Sequence, residues 1–213
     1  MARIDYFYSA HSAFAYLGAR RLYEICAAQG AELVHRPMLL SPVMEAAGGL
    51  PFAGRSQAHV DYFFGREIER WAEWRDVPII RFRPTYHDAP YDLANRVIMA
   101  AGPTADALSL SILRAHWRDD ADLSDQATLR SLIVEAGLDP EILVAIAEAP
   151  ETQEAHRANT EEAIRSGLFG SPSYVVDGDV FYGQDRLEMV ERALAQPFGP
   201  TRWANPTVAP EAG

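Results

Sequence analysis

The sequence predicts an α/β fold in which both ends of the chain contribute strands to one sheet. Residues 4–8 form an aromatic, branched run typical of a buried strand, and residues 12–29 have helical periodicity, with Gly30 after the last turn. A second strand is predicted at residues 31–38, which implies a parallel pair with a right-handed crossover. Near the other end, residues 173–182 predict two short strands about a tight Asp177-Gly178 turn.

The middle of the chain, from residue 41 to about residue 167, is predicted to be helical. Apolar side chains recur at helical spacing in residues 57–74, 91–101, 105–117, 126–136, 140–147 and 152–165. We therefore predict a thioredoxin-like domain formed by residues 1–40 and 168–196, with a large α-helical insertion at residues 41–167. Residues 197–213, which contain four prolines, are predicted to form an irregular C-terminal tail.

Composition and charge limit the class of protein. With 213 residues, 48% of them hydrophobic, the chain is long enough to bury a sizeable core. A net charge of -11 opposes binding to nucleic-acid phosphates, so we expect no nucleic-acid partner. The sequence has neither a targeting segment nor an uninterrupted apolar run of about 18 residues, so we expect a soluble, cytoplasmic protein with no membrane partner.

Cys26 is the only cysteine, which excludes an intrachain disulfide and a zinc site built from cysteines. The six histidines lack metal-ligand spacing, so we predict no metal site. Cys26 lies with Leu22 and Ile25 on the apolar face of the first predicted helix, which favours a buried thiol over a reactive one.

The candidate catalytic group is the hydroxyl of Ser12, at the start of the first predicted helix. Unpaired amides and the helix dipole favour negative charge at a helix N terminus. Thiol–disulfide enzymes carry Cys-x-x-Cys at this position, but residues 12–15 contain no sulfur, which excludes disulfide exchange by side chains of this protein. A hydroxyl remains that can donate a hydrogen bond to a sulfur of a bound ligand. The alternative is that Ser12 only caps the helix.

Ser171-Pro172, before the third predicted strand, forms the second half of the predicted site. A proline between a helix and a strand is often only a helix stop. Followed by a strand and an Asp-Gly turn, it instead predicts a cis peptide bond close to Ser12. The backbone of Ser171 would then be exposed for pairing with an extended peptide ligand.

Two segments of the chain carry a resemblance to a known family. They are Ser12-Ala13-Phe14-Ala15-Tyr16-Leu17 and Phe169-Gly170-Ser171-Pro172-Ser173-Tyr174-Val175-Val176-Asp177-Gly178, the latter continued by Phe181-Tyr182-Gly183-Gln184-Asp185-Arg186-Leu187. The chain resembles the 2-hydroxychromene-2-carboxylate isomerase family over about residues 2–195. That family is related to kappa-class glutathione transferases and, more distantly, to the disulfide oxidoreductase DsbA.

The resemblance implies a DsbA-like fold and a glutathione-dependent isomerase that acts on an aromatic 2-oxo or hemiketal carboxylate. The serine that matches Ser12 would stabilise the glutathione thiolate. The backbone at Ser171-Pro172 would pair with the cysteinyl unit of glutathione, and Asp185, beside Gln184, would bind the γ-glutamyl amine. The implied partners are glutathione and a small aromatic substrate, and the resemblance favours a homodimer.

The sequence departs from the family at three positions. Ala13 replaces the proline that usually follows the site serine, and Gly49 and Ala58 lie near positions where relatives place an asparagine and a lysine for glutathione. Arg55, Gln57 and His59 are the candidates to replace these two side chains. A glutathione transferase of kappa type, which would release a conjugate, and a non-catalytic thioredoxin-fold binding protein are the alternative functions.

Two residues near Ser12 are candidates for the substrate pocket. His11 directly precedes Ser12 and is either a base or a turn residue, and Phe14 lies in the first turn of the helix. Other aromatic side chains either line the pocket with Phe14 or, as we expect for most of them, belong to the core; they are Tyr16, Phe63, Phe64, Trp71 and Trp74.

Overall fold

The sheet is assembled from both ends of the chain, as predicted. A computed structural model describes residues 2–208. In it, β1 (Arg3–Tyr8), β2 (Glu32–Pro37), β3 (Ser173–Val176) and β4 (Asp179–Tyr182) form one sheet in the order β2-β1-β3-β4. β1 pairs parallel with β2 and antiparallel with β3, and β3 pairs antiparallel with β4. This is a thioredoxin-like arrangement.

Most of the helices lie between β2 and β3 in the chain, whereas the first joins β1 to β2 and the last follows β4. In chain order they are α1 (Ala13–Gln29), α2 (Leu40–Ala46), α3 (Gln57–Asp61), α4 (Glu67–Arg75), α5 (Asp92–Ala100), α6 (Ala105–Asp119), α7 (Gln126–Glu135), α8 (Pro140–Glu148), α9 (Pro150–Arg165) and α10 (Leu187–Ala195). None of the helices within residues 2–208 is long and apolar enough to cross a bilayer.

The ends of α1 follow the predicted signals. Ser12 is extended (φ -76°, ψ 120°), and its side chain accepts a hydrogen bond from the Ala15 amide. Gly30 takes the left-handed conformation (φ 60°, ψ 34°) that ends the helix. Between these caps, α1 packs on the sheet with Leu17, Leu22 and Ile25 fully buried.

The hairpin of β3 and β4 turns at Asp177-Gly178, where both residues have positive φ, 50° and 84°. This geometry matches the twist of the flanking strands and explains the Asp-Gly pair. The hairpin also brings the turn after β4 against α1. A Cβ atom at Gly18 would lie 2.6 Å from the Cβ of Gln184, so only glycine permits this approach.

The structure corrects two expectations for the aromatic segment at residues 57–74. This segment is not one regular α-helix, because a π-helical turn at Tyr62–Arg66 separates α3 from α4. Trp74 is 80% exposed and does not belong to the core, whereas Tyr16 does. Phe64 is 36% exposed and lines a cavity, which is the alternative left open for these aromatic side chains. The π-turn rotates α4 relative to α3, so side chains on its two sides do not follow one helical period.

The C-terminal segment at residues 197–208 has no regular secondary structure. Phe198 lies 5.9 Å from the ring of Phe181, and the Arg192 guanidinium lies 4.1 Å above the Phe198 ring. The predicted tail continues to residue 213, and residues 209–213 lie outside the described part of the chain.

We predict that Cys26 does not react in the folded protein. The side chain is buried on α1, and burial raises the pKa of its thiol to about 11, so little thiolate is present near neutrality. A thiol reagent at about pH 8, close to the pKa of an exposed thiol, should label the unfolded chain quickly and the native protein slowly. Cys26→Ser provides the blank, and rapid labelling of the native protein would contradict the prediction.

Candidate functional site

Ser12 lies where β1 passes into α1, in contact with the segment that precedes β3. Its hydroxyl oxygen is 3.4 Å from the carbonyl oxygen of Ser171, and the residue is only 8% exposed. The Ser171-Pro172 peptide bond is cis, as predicted, and the predicted proximity to Ser12 is also confirmed. The Ser12 hydroxyl therefore accepts a hydrogen bond from the Ala15 amide of α1 and donates one to the Ser171 carbonyl.

The loop at residues 9–12 is held by hydrogen bonds to three different parts of the molecule. The Ser9 amide donates to the Ser171 hydroxyl (3.2 Å), and the Ala10 amide donates to the Asn95 side chain in α5 (2.9 Å). Trp117 Nε1, in α6, donates to the carbonyl of His11 (2.8 Å). Since these contacts are buried or half-buried, the backbone that carries Ser12 is fixed in position.

A cavity of about 220 Å³ lies between the π-turn, α4 and the turn after β4. We call it the hairpin cavity. Four of the predicted site residues line it, and only Pro172 of the predicted cofactor-binding residues does not. The four are Phe14, Ser171, Gln184 and Asp185, and they are joined by the aromatic rings of Phe63, Trp71, Tyr62 and Tyr182.

Arg75 fixes the orientation of the Gln184 side chain. Its Nε atom donates to Gln184 Oε1, and its Nη2 atom donates to the Gln184 carbonyl, both at 3.3 Å. Because a guanidinium group only donates, the oxygen of the Gln184 amide must face Arg75. Gln184 is 1% exposed, and its Nε2 atom has no hydrogen-bond partner within residues 2–208. Buried donors are usually paired, so this nitrogen is a candidate to bind an acceptor of a ligand.

Two backbone features border the hairpin cavity. The Ser171 amide donates to no acceptor among residues 2–208, although the Ser171 carbonyl and hydroxyl both form contacts. Gly183 has φ 97°, and a Cβ there would collide with the carboxylate of Asp185, which explains the glycine. Asp185 itself is exposed and pairs with Arg186 at 2.7 Å.

A second cavity, of about 300 Å³, lies on the His11 side of Ser12. We call it the histidine cavity. The ring of His11 stacks on that of Tyr91 with their centres 3.9 Å apart and lies 4.8 Å from that of His87. Ser12 follows His11, which lines the histidine cavity, and contacts Ser171, which lines the hairpin cavity, but its own side chain lines neither.

The imidazoles of the histidine cavity are neutral at physiological pH. Burial lowers the pKa of His11 well below its usual value, and the neighbouring His87 and His116 lower it further. Burial lowers the pKa of His87 to about 4 and also lowers that of His116. His87 Nδ1 and His116 Nε2 are 3.0 Å apart. His11 is therefore a neutral aromatic wall and a weak base.

Arg55 is the one of the three candidate replacement residues that enters a cavity. It lines the histidine cavity together with Gly49, whereas Gln57 binds Asp61 on the exposed side of α3. Ala58 is exposed. The third candidate, His59, contacts Arg55 through its Nε2 atom at 3.2 Å.

Two residues that shape the site, Asn95 and Arg75, were not identified from the sequence, because each is distant in the chain from the segment that it holds. For Asn95, a polar residue on the apolar face of α5 was the available signal. No cluster of three or more histidine, cysteine or acidic side chains in residues 2–208 is arranged to bind a metal ion.

Comparison with known proteins gives a consistent result. The 2-hydroxychromene-2-carboxylate isomerase of Sphingobium xenophagum is 28% identical over 192 residues, which cover 90% of this chain and 97% of that protein. A glutathione S-transferase kappa 2 of Caenorhabditis elegans is 29% identical over 123 residues, about half of each chain (52% and 55%).

The fold is shared with solved structures. A structure of 2-hydroxychromene-2-carboxylate isomerase superposes with a TM-score of 0.79 at 22% identity, covering 91% of this chain and 95% of that one. The family model described as the DSBA-like thioredoxin domain matches residues 3–195. These residues span all four strands and all the helices named above. The chain therefore belongs to the DSBA-like thioredoxin domain family.

Proposed function

We propose that the protein is a glutathione-dependent isomerase of an aromatic 2-oxo or hemiketal carboxylate, similar to 2-hydroxychromene-2-carboxylate isomerase. The main observation in support is the position of the Ser12 hydroxyl at the start of α1, in contact with Ser171 of the hairpin cavity and one residue after His11 of the histidine cavity. A thiol ligand and a second, aromatic ligand would meet there. The named relatives support the same proposal.

The hairpin cavity fits glutathione by its polar groups. The unpaired Ser171 amide and the Ser171 carbonyl would pair with the cysteinyl unit in the manner of an added strand. The buried Gln184 amide nitrogen would donate to the γ-glutamyl carboxylate, and the Asp185 carboxylate would accept from the γ-glutamyl amine. Pro172 would act through its backbone, since its carbonyl accepts from the Gly183 amide at 2.9 Å and so joins the segment before β3 to the turn after β4.

Ser12 would stabilise a thiolate. Its hydroxyl hydrogen is directed toward the Ser171 carbonyl at the long distance of 3.4 Å, and rotation about the Cβ–Oγ bond would redirect it to a sulfur. The N-terminal amides and the dipole of α1 favour negative charge at the same point. Glutathione, when bound, would supply the thiolate for reversible addition to an unsaturated carbon of the substrate. Addition would make the former double bond single, so that it could rotate before the thiolate leaves.

His11 and Phe14 would orient the substrate. The neutral His11 ring, stacked on Tyr91, offers a flat surface in the histidine cavity, and Phe14 packs 5.0 Å from the ring of Phe63 at the edge of the hairpin cavity. These contacts hold an aromatic substrate near the thiol without exchanging a proton, and orientation of this kind contributes strongly to catalysis. A need for reduced glutathione would place the protein in the cytoplasm.

The kappa-type relative favours one alternative, a glutathione transferase that uses the same site. Incubation with 2-hydroxychromene-2-carboxylate and glutathione separates the functions. We expect isomerisation to occur with the concentration of free glutathione unchanged, and at about 100 times its Kd glutathione should stabilise the fold by about 2.7 kcal/mol. Loss of glutathione into a conjugate would indicate the transferase, and a glutathione-independent melting temperature would contradict both enzymes.

We predict that Ser12→Ala lowers the rate by about ten- to a hundred-fold, because a hydrogen bond to a charged group contributes about 1.5–3 kcal/mol. The pKa of the bound thiol should rise, so the defect should be largest at low pH and recover partly as pH increases. Thiolate absorbance of bound glutathione and the rate, both measured against pH, test this. If Ser12 is only a helix cap, the variant should lose about 1 kcal/mol of stability and keep its rate and thiol pKa.

We predict that Arg75→Leu weakens glutathione binding by about tenfold, because the Gln184 amide loses the donor that fixes its orientation, and a charged hydrogen bond contributes about that much. The thiol pKa should not change, since Ser12 is untouched. Arg21→Leu is the control, because Arg21 also bridges to acidic residues of α10 and does not contact Gln184. Titration calorimetry with glutathione measures the effect, and equal Kd values for both variants would contradict the prediction.

A further inference from the structure

Arg55 is the cation of the histidine cavity that lacks an acidic partner. Two arginines line that cavity, and Arg83 is neutralised by Asp88 through two hydrogen bonds of 2.6 and 2.5 Å. Arg55 forms no ion pair with any residue from 2 to 208, and its buried Nε–H has no acceptor in that range. Glu45, the other carboxylate that lines the cavity, is exposed.

The guanidinium of Arg55 is held in place by the rings of Phe64 and His59. Its carbon lies 5.1 Å above the ring of Phe64, and Nη1 is 3.2 Å from His59 Nε2. These contacts orient the planar group without satisfying its charge. Nε is enclosed by the protein, whereas Nη2 forms no hydrogen bond within residues 2–208 and is the group that an anion in the cavity would meet. The planar guanidinium matches the geometry of two kinds of anion in particular, carboxylates and phosphates.

The remaining walls of the histidine cavity favour a flat, unsaturated ligand. His11 and Tyr91 form a stacked pair on one side, and Phe52 and Phe64 contribute further aromatic surface. The volume of about 300 Å³ lies at the lower end of cavities that bind small molecules. Combined with the guanidinium of Arg55, which has no ion-pair partner within residues 2–208, this surface favours a compact aromatic acid.

We propose that Arg55 binds the carboxylate of the aromatic substrate, in the histidine cavity, and so selects acids over their neutral analogues. This rests on the proposed function for the identity of the substrate. The carboxylate of the glycine end of glutathione has the same chemistry, and the field of Arg55 reaches Tyr182 of the hairpin cavity. Arg55 lines the cavity that contains His11 and not the one that contains Gln184, which favours the substrate.

A binding measurement tests the assignment without turnover. The probes are chromone-2-carboxylate, an unreactive acid with the bicyclic skeleton of a chromene carboxylate, its carboxamide, and glutathione. Kd values are measured by calorimetry for the full chain and for Arg55→Gln, Arg55→Lys and Arg157→Gln. Arg157 is exposed on α9, pairs with Glu154 and lines neither cavity. Arg157→Gln therefore removes the same charge as Arg55→Gln without altering either cavity.

We expect the wild type and Arg157→Gln to bind the acid about ten- to a hundred-fold more tightly than the amide. Arg55→Gln should bind both probes equally, and Arg55→Lys should retain part of the preference because it keeps the charge without the planar fork. Glutathione binding should be unchanged in all variants. These measurements report binding and not turnover. Failure of the isomerase proposal would be seen in a different experiment, as the absence of isomerisation by the wild type.

Three results would overturn the proposal. One is equal binding of the acid and the amide by the wild type. The second is a preference for the acid that persists in Arg55→Gln while its melting temperature matches the wild type. The third is weaker glutathione binding by Arg55→Gln with unchanged binding of the acid, which would assign Arg55 to the peptide ligand instead.

Discussion

The rigid attachment of residues 9–12 is the constraint on which the candidate site depends. Ser9, Ala10 and His11 each use a backbone group to bind a different part of the molecule, and the three partners are Ser171, Asn95 and Trp117. Asn95 extends this connection, because its side-chain nitrogen also donates to the Met38 carbonyl and contacts His156. The helices between β2 and β3 therefore fix the position of Ser12 through buried polar contacts, which are costly to break singly.

The electrostatics of the site follow from which groups are buried and which are paired. Burial keeps His11 and His87 neutral, so the two imidazoles that line the histidine cavity carry no charge. The charged side chains that line that cavity are then the paired Arg83 and Asp88, the exposed Glu45, and Arg55, which forms no ion pair within residues 2–208. The hairpin cavity differs in kind, because its buried polar groups, at Ser171 and Gln184, are neutral donors suited to a peptide backbone and a carboxylate.

Much of the fold was predictable because its signals are local. The caps of α1 at Ser12 and Gly30 and the Asp177-Gly178 turn each depend on the conformation of one or two residues. The prediction was wrong where neighbours in space override the local pattern. The π-turn at Tyr62–Arg66 adds a residue to one turn, and it directs Phe63 and Phe64 to different cavities instead of to a common core.

The sequence by itself determined the chemistry that is available: one hydroxyl at a helix start, no sulfur beside it, and a proline hairpin at the other end of the chain. Tertiary structure decided how that chemistry is supported. Arg75 meets Gln184 across 109 positions of the chain, and Trp117 meets His11 across 106. Helical periodicity predicts the face on which such a side chain lies and not the residue that faces it. The partner is set only when the sheet has joined both ends of the chain and the helices have packed between them.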